Sequence, residues 1–202
     1  MTETLASALL AKLTAALPFL DRAVGLVRVY EHNIANGDDV RRVKVPVPVS
    51  FTADECEHNS RYLVPDAGTG SILFFEDGGT VSQGAGRSPM ERTHESTLQL
   101  RLWLNPTRLS AALPEAVLVA TLSNALGIGS RQNTPELADL LLSWTIQPGG
   151  AGLLSGYTFA QDAMPLLYPP FRVFGAEIKA VYRFNAACQM AVLPTLIPAP
   201  VC

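Results

Sequence analysis

Apolar residues along this chain recur with a period that switches between helical and extended. In residues 4–20, Leu5, Leu9, Leu13, Ala16, Leu17 and Leu20 return every three or four positions, the stripe of an amphipathic helix, with Thr2 or Thr4 available as N-cap. Residues 23–33 and 41–51 alternate instead and read as strands joined by a turn at Asn36-Gly37. Residues 71–83 read as a hairpin turning at Asp77-Gly78-Gly79. In 98–104, Leu98, Leu100, Leu102 and Leu104 face one side while Gln99, Arg101 and Trp103 face the other. From Pro106 to about Leu142 the period becomes helical again. A first helix would gather Leu113, Val117, Ala120, Thr121 and Asn124 on one face, and a second would start at Thr134 as N-cap with Pro135 behind it. Residues 171–188 form a last strand, with Ala176, Ile178, Ala180, Tyr182 and Phe184 opposite Glu177, Lys179, Val181 and Arg183.

These elements sum to an α+β fold: a mainly antiparallel sheet of five to seven strands, covered on one face by the N-terminal helix and a helix pair. The expected organisation is a single α+β domain over 1–189, followed by an extended C-terminal arm over 190–202. That arm has three prolines and no charge. The strand 41–51 carries its own instruction. Pro46 and Pro48 lie two residues apart, so they remove donors from one edge only, which predicts a strand at the rim of the sheet, protected against unwanted pairing.

Composition narrows the role. The 202 residues are 48% hydrophobic and 16% charged with no low-complexity tract, which is the balance of a folded chain. A net charge of −3 disfavours a nucleic-acid binder that works by counterion release. No run of about eighteen apolar residues is present and no positive residues precede the N-terminal apolar stretch, so neither a membrane span nor a secretory signal is expected. The three cysteines, Cys56, Cys188 and Cys202, are widely spaced and suit structural thiols in a reducing compartment.

Reactive groups are sparse. Cys56-Glu57-His58, with His32 and His94 as distant partners, is the best metal candidate, but it lacks a second paired step and reads as a loop. No cofactor is expected. An enzyme of unknown class would need Cys56, His58, Arg87 and His94 to converge; a monomeric binding module is the other alternative. Outward positions of the predicted strands hold Arg28, Lys44, Arg101, Lys179 and Arg183, a candidate basic face.

The order of elements, carried by "GLVRVYEHN", "RRVKVPVPVSF", "GSILFFEDGGTVSQ", "TLQLRLWLNP" and "FGAEIKAVYRFNA" and ending in an uncharged arm, resembles the tail-terminator or tail-completion proteins of tailed bacteriophages and related contractile particles. The chain is longer than the compact members, with insertions at 52–70 and 143–160. The resemblance implies a non-enzymatic structural protein of a virion or phage-like particle, assembled in the bacterial cytoplasm. It would form a ring, commonly a hexamer, that stops tail-tube growth and joins the tail to neck or connector proteins. Val45, Pro46, Val47 and Pro48 of the edge strand and Leu193 and Ile197 of the arm would then serve the contact between subunits, and the basic face would line a channel in passing contact with DNA.

Overall fold

The computed structural model describes residues 2–36, 39–52, 62–83, 92–109 and 114–184. Helix α1 (Thr2–Ala16) leads into strands β1 (Arg22–Asn36), β2 (Asp39–Pro48), β3 (Ser71–Gln83) and β4 (Thr93–Leu104); helix α2 (Glu115–Leu126) precedes β5 (Arg131–Gln132), β6 (Leu137–Gln147) and β7 (Arg172–Phe184). All seven strands make one mixed sheet in the order β2-β1-β3-β4-β7-β6-β5. Only β1 and β3 run parallel; the other neighbours are antiparallel.

Two cores result. Leu5, Leu9 and Leu13 of α1 and Leu118, Leu122 and Leu126 of α2 pack on Leu98, Leu100, Leu102, Ala176, Ile178 and Ala180 of the sheet. Each such leucine, fully buried, contributes roughly 1.5–3 kcal/mol relative to exposure. The second core joins Val43, Val45, Val47 and Phe51 to Ile72, Phe74, Trp103 and Val173, under Leu154, Phe159 and Leu167 of the segment between β6 and β7. Two short 3-10 turns, Ala151–Leu154 and Met164–Leu167, shape that segment.

Trp103, expected on the outward face, is therefore 2% exposed and its indole N–H donates to the Leu166 carbonyl at 2.7 Å. The covering segment converts an outer sheet face into a core.

Three elements depart from the sequence reading. Residues 71–83 are one strand, not a hairpin: Asp77-Gly78-Gly79 forms a bulge, where the register with β4 shifts between Asp77 and Thr80. Asp77 accepts the Gly79 N–H at 2.8 Å, and Gly79 sits at φ 101, so the residues favoured in turns serve a bulge equally well. The helix expected from Thr134 is strand β6. Its leucines at 137, 140 and 142 are all buried although spaced by three and then two, because a second bulge, with Asp139 at φ 53, resets the alternation. Thr134 still caps, but it caps a turn: its Oγ1 accepts the Leu137 N–H at 3.0 Å. There is thus one helix rather than a pair after residue 106, among the described residues. In α2 the buried stripe is Leu118, Leu122 and Leu126, while Val117, assigned to the inner face from sequence, is 49% exposed.

Candidate functional site

The register of β3, β4, β7 and β6 gathers polar side chains beside the second core. Phe74 pairs with Arg101 and Glu76 with Gln99; across β4, Arg101 stands opposite Gly175 and Gln99 opposite Glu177, and β6 adds Gln147 opposite Gly175. Arg101 is the hub. Its Nη2 meets Glu76 Oε2 at 2.9 Å and its Nη1 donates to Gln147. Gln147 donates to Gln99 Oε1 at 3.0 Å, and Gln99 donates to Glu177 Oε2 at 3.0 Å. Tyr157, from the covering segment, closes the group by donating to Glu76 Oε1 at 2.7 Å. Burial, reinforced by the Glu76 charge, raises the Tyr157 hydroxyl far above the usual tyrosine range. Arg101 Nε is buried with no hydrogen-bond partner. A glycine opposite makes the arrangement fit: a Cβ at Gly175 would lie 2.9 Å from the Leu153 methyls and 3.1 Å from Arg101 Nη1.

The five cations expected on one face are divided. Arg101, Lys179 and Arg183 share a sheet face by parity, but each has an acidic partner: Glu76, Glu177 and Asp139. Arg183 and its hydrogen bond hold the Asp139 carboxyl below the ordinary carboxylate range. On the β1–β2 ribbon Arg28 stands opposite Val47 and Lys44 opposite Glu31, which puts the two cations on opposite sides. Arg28 donates to the Phe51 carbonyl at 2.7 Å and lies 5.9 Å from that ring's centre. Glu31 takes Lys44 at 3.0 Å and also Arg42, and the Lys44 hydrogen bond leads in lowering its pKa. Four of the five cations thus meet a carboxylate, and Arg28 meets a carbonyl and a ring.

The proline edge is closed rather than bare. Lys44 exchanges two backbone hydrogen bonds with Thr158, at 3.0 and 2.9 Å, Pro46 C=O accepts the Leu63 N–H at 3.0 Å, and Pro48 C=O accepts the Phe51 N–H at 2.9 Å. Prolines remove the donors that these short partners could not satisfy. Val45, Pro46 and Val47 are buried inside the chain, so of the four contact residues expected on the edge strand only Pro48 is partly exposed.

Histidines were expected to join Cys56, His58 and Arg87; those three, with Leu193 and Ile197, lie outside the described residues. His32 stacks with Tyr30 and lies 4.8 Å from the Tyr62 ring. His94 is 2% exposed between Tyr182 and Phe184, and its Nδ1 lies 2.9 Å from Ser82 Oγ. This Ser–His contact was not foreseen. It is a directly paired cross-strand couple that satisfies a buried ring nitrogen. Beside it a hydroxyl chain runs from Thr2 through Thr80 and Ser96 to Tyr182, with steps of 3.1, 2.7 and 2.9 Å, tying the start of α1 to three strands. Among the described residues no three His, Cys, Asp or Glu side chains gather as a metal site would need, and no helix is long and apolar enough to cross a membrane.

Two concavities flank the helical layer. A groove of about 840 Å³ runs along α1 past residues 133–136, and a pocket of about 350 Å³ lies between Leu118 of α2 and Phe171 ahead of β7. Comparison with protein-family models, with curated proteins and with solved structures finds no match to this chain.

Proposed function

We propose that this chain is a structural subunit of a phage-like particle, a ring-forming tail terminator or head–tail connector that ends tail-tube growth and joins the tail to the neck. Its role is mechanical, and its partners are other copies of itself and the tube and neck proteins on either side. One observation carries the reading: the β1–β2 ribbon leaves the shared sheet, and it and the outer edge of β3 hold apolar side chains uncovered. Beyond Leu26, β1 has β2 as its strand partner and Val40 near the ribbon's end is 71% exposed; on the outer half of β3, Val81 is 62% exposed. Two-stranded ribbons are marginal in water unless something packs on them. A neighbouring subunit in a closed head-to-tail ring would supply that cover. The blocked outer edge of β2 supports the same view, because it stops sheets from extending without limit.

Light scattering on the full chain over a wide concentration range, with electron microscopy of the product, tests this. The expected result is a closed oligomer of fixed mass with rotational symmetry, lost in Val81→Asp while circular dichroism stays unchanged. A monomer at every concentration, or an open-ended aggregate, would overturn it.

A further inference from the structure

The two rims of the sheet are finished differently. At one, β2 is closed by its prolines and by the backbone bonds to Thr158 and Leu63. At the other, β5 covers β6 only at Leu140 and Leu141, and the Gly129 N–H donates to the Leu142 carbonyl at 2.8 Å. Backbone groups alternate sides along a strand. Leu142 therefore faces the rim, and so do Trp144 and Ile146, while Ser143, Thr145 and Gln147 turn their backbone groups to β7. Among the described residues none bonds to the rim-facing backbone of Trp144 or Ile146. The stretch 143–147 has no proline, charge or bulge, the devices that protect an edge strand, and Ile146 is 38% exposed.

We infer that two copies of this chain pair along this rim, β6 antiparallel to β6 and centred on Thr145. In that register Trp144 meets Ile146 of the partner subunit, Thr145 meets Thr145 of the partner subunit, and Ser143 meets Gln147 of the partner subunit. Aromatic–β-branched and Thr–Thr pairs are favoured across strands. Trp144 and Ile146 make the hydrogen-bonded pairs, each exchanging two backbone bonds. Neighbouring registers fail. Centred on Trp144, the strand would set Ile146 against Leu142, whose carbonyl Gly129 already holds. Centred on Ile146, it would set Trp144 against Pro148, which has no N–H. Beyond Gln147 the chain leaves β6 to cover the second core, so the pairing ends there. With the rim of β2 closed, the joined sheet offers no further edge and association through it stops at two copies. This contact is two-fold, separate from the head-to-tail contact of the ring reading, and does not depend on it.

Thr145→Cys tests it, in full-length protein whose Cys56, Cys188 and Cys202 are replaced by serine. Directly opposed residues of a non-hydrogen-bonded pair have Cα atoms about 4.5 Å apart, within reach of a disulfide. Mild oxidation should therefore give a covalent dimer joined at position 145. Ser143→Cys should cross-link not with itself but with Gln147→Cys in an equal mixture. Adding Ile146→Pro removes only a rim-facing donor and should slow the Thr145→Cys cross-link about ten-fold or more, with circular dichroism unchanged. Val81→Asp, aimed at the ring contact, should leave that cross-link intact. Self-linking of Ser143→Cys as fast as that of Thr145→Cys, or a rate indifferent to Ile146→Pro, would overturn the inference. So would a Trp144 amide that exchanges equally fast in dilute and concentrated wild-type protein, or a different polypeptide found along this rim.

Discussion

Gly127 joins two separate contacts. It ends α2 in the left-handed conformation, φ 68, and its N–H reaches the Ser123 and Asn124 carbonyls, the usual use of glycine at a helix end. Gln132 then donates to the carbonyls of Leu126 and Gly127, at 2.7 Å each, while accepting from Lys12 of α1. One side chain thereby ties the end of α2 to α1. A Cβ at Gly127 would fall 2.4 Å from Gln132 Nε2, so Gly127→Ala carries both the left-handed backbone penalty and the loss of this tie. About 1–2 kcal/mol of destabilisation is expected in urea unfolding. Gln132→Ala alone should lose less, because the backbone penalty is absent. Equal losses would show that the lost tie, not the backbone conformation, dominates. Arg101 obeys a similar logic: it is 11% exposed at its side chain, and a glycine opposite leaves room for it, since a Cβ at Gly175 would lie 3.1 Å from its Nη1.

At the scale of elements, the departures have a common cause. Strands with strict alternation were legible: Val43 to Val47 and Leu98 to Leu104 face the core as their period demands. Elements with a bulge were not, because one extra residue turns a spacing of two into three, which is also the helical signal. Leu137 and Leu140 mimic a helix for this reason, while the strong turn chemistry of Asp77-Gly78-Gly79, set in a continuous strand, mimics a hairpin. Nor does local pattern announce a covering segment. Tyr157 lies between a turn and a bridge, with no periodicity to mark it, yet it completes the Arg101 network, and the burial of Trp103 follows from the same segment. The latch that holds this segment to β2 is the Lys44–Thr158 bridge. Thr158→Pro deletes the N–H that Lys44 C=O accepts and should cost about 1 kcal/mol or more. It should also open the edge of β2, visible as faster amide exchange at Lys44 and a new tendency to self-associate. Unchanged exchange at Lys44 would mean that the prolines and Leu63 close the edge without help from Thr158.

For the whole molecule, the network between sheet and covering segment sets a pH limit. The hydroxyls of Tyr157, Tyr182 and Tyr62 are all raised above the ordinary tyrosine value, with burial the leading cause in each, and the rise is greatest at Tyr157. Above a pH of about 10 the unfolded chain releases these protons while the folded chain keeps them. The unfolded state then binds fewer protons, so stability is complete below that pH and falls as pH rises beyond it. On the acid side, Asp139 and Glu31 are lowered by Arg183 and Lys44. Their contributions are present above the usual carboxylate range of about 4 and fade as pH falls through it, and both pairs are exposed enough for salt to weaken them. The alkaline limb is the sharper test. In urea titrations between pH 9 and 11, the wild type should lose up to about 1.4 kcal/mol per pH unit for each tyrosine that stays protonated only when folded. Tyr157→Phe should start about 1 kcal/mol lower at neutral pH, having lost the hydrogen bond to Glu76, and should then decline less steeply, so that the two curves converge. Parallel curves would mean that the segment carrying Tyr157 has already left the sheet before global unfolding, and that the second core opens as a unit of its own.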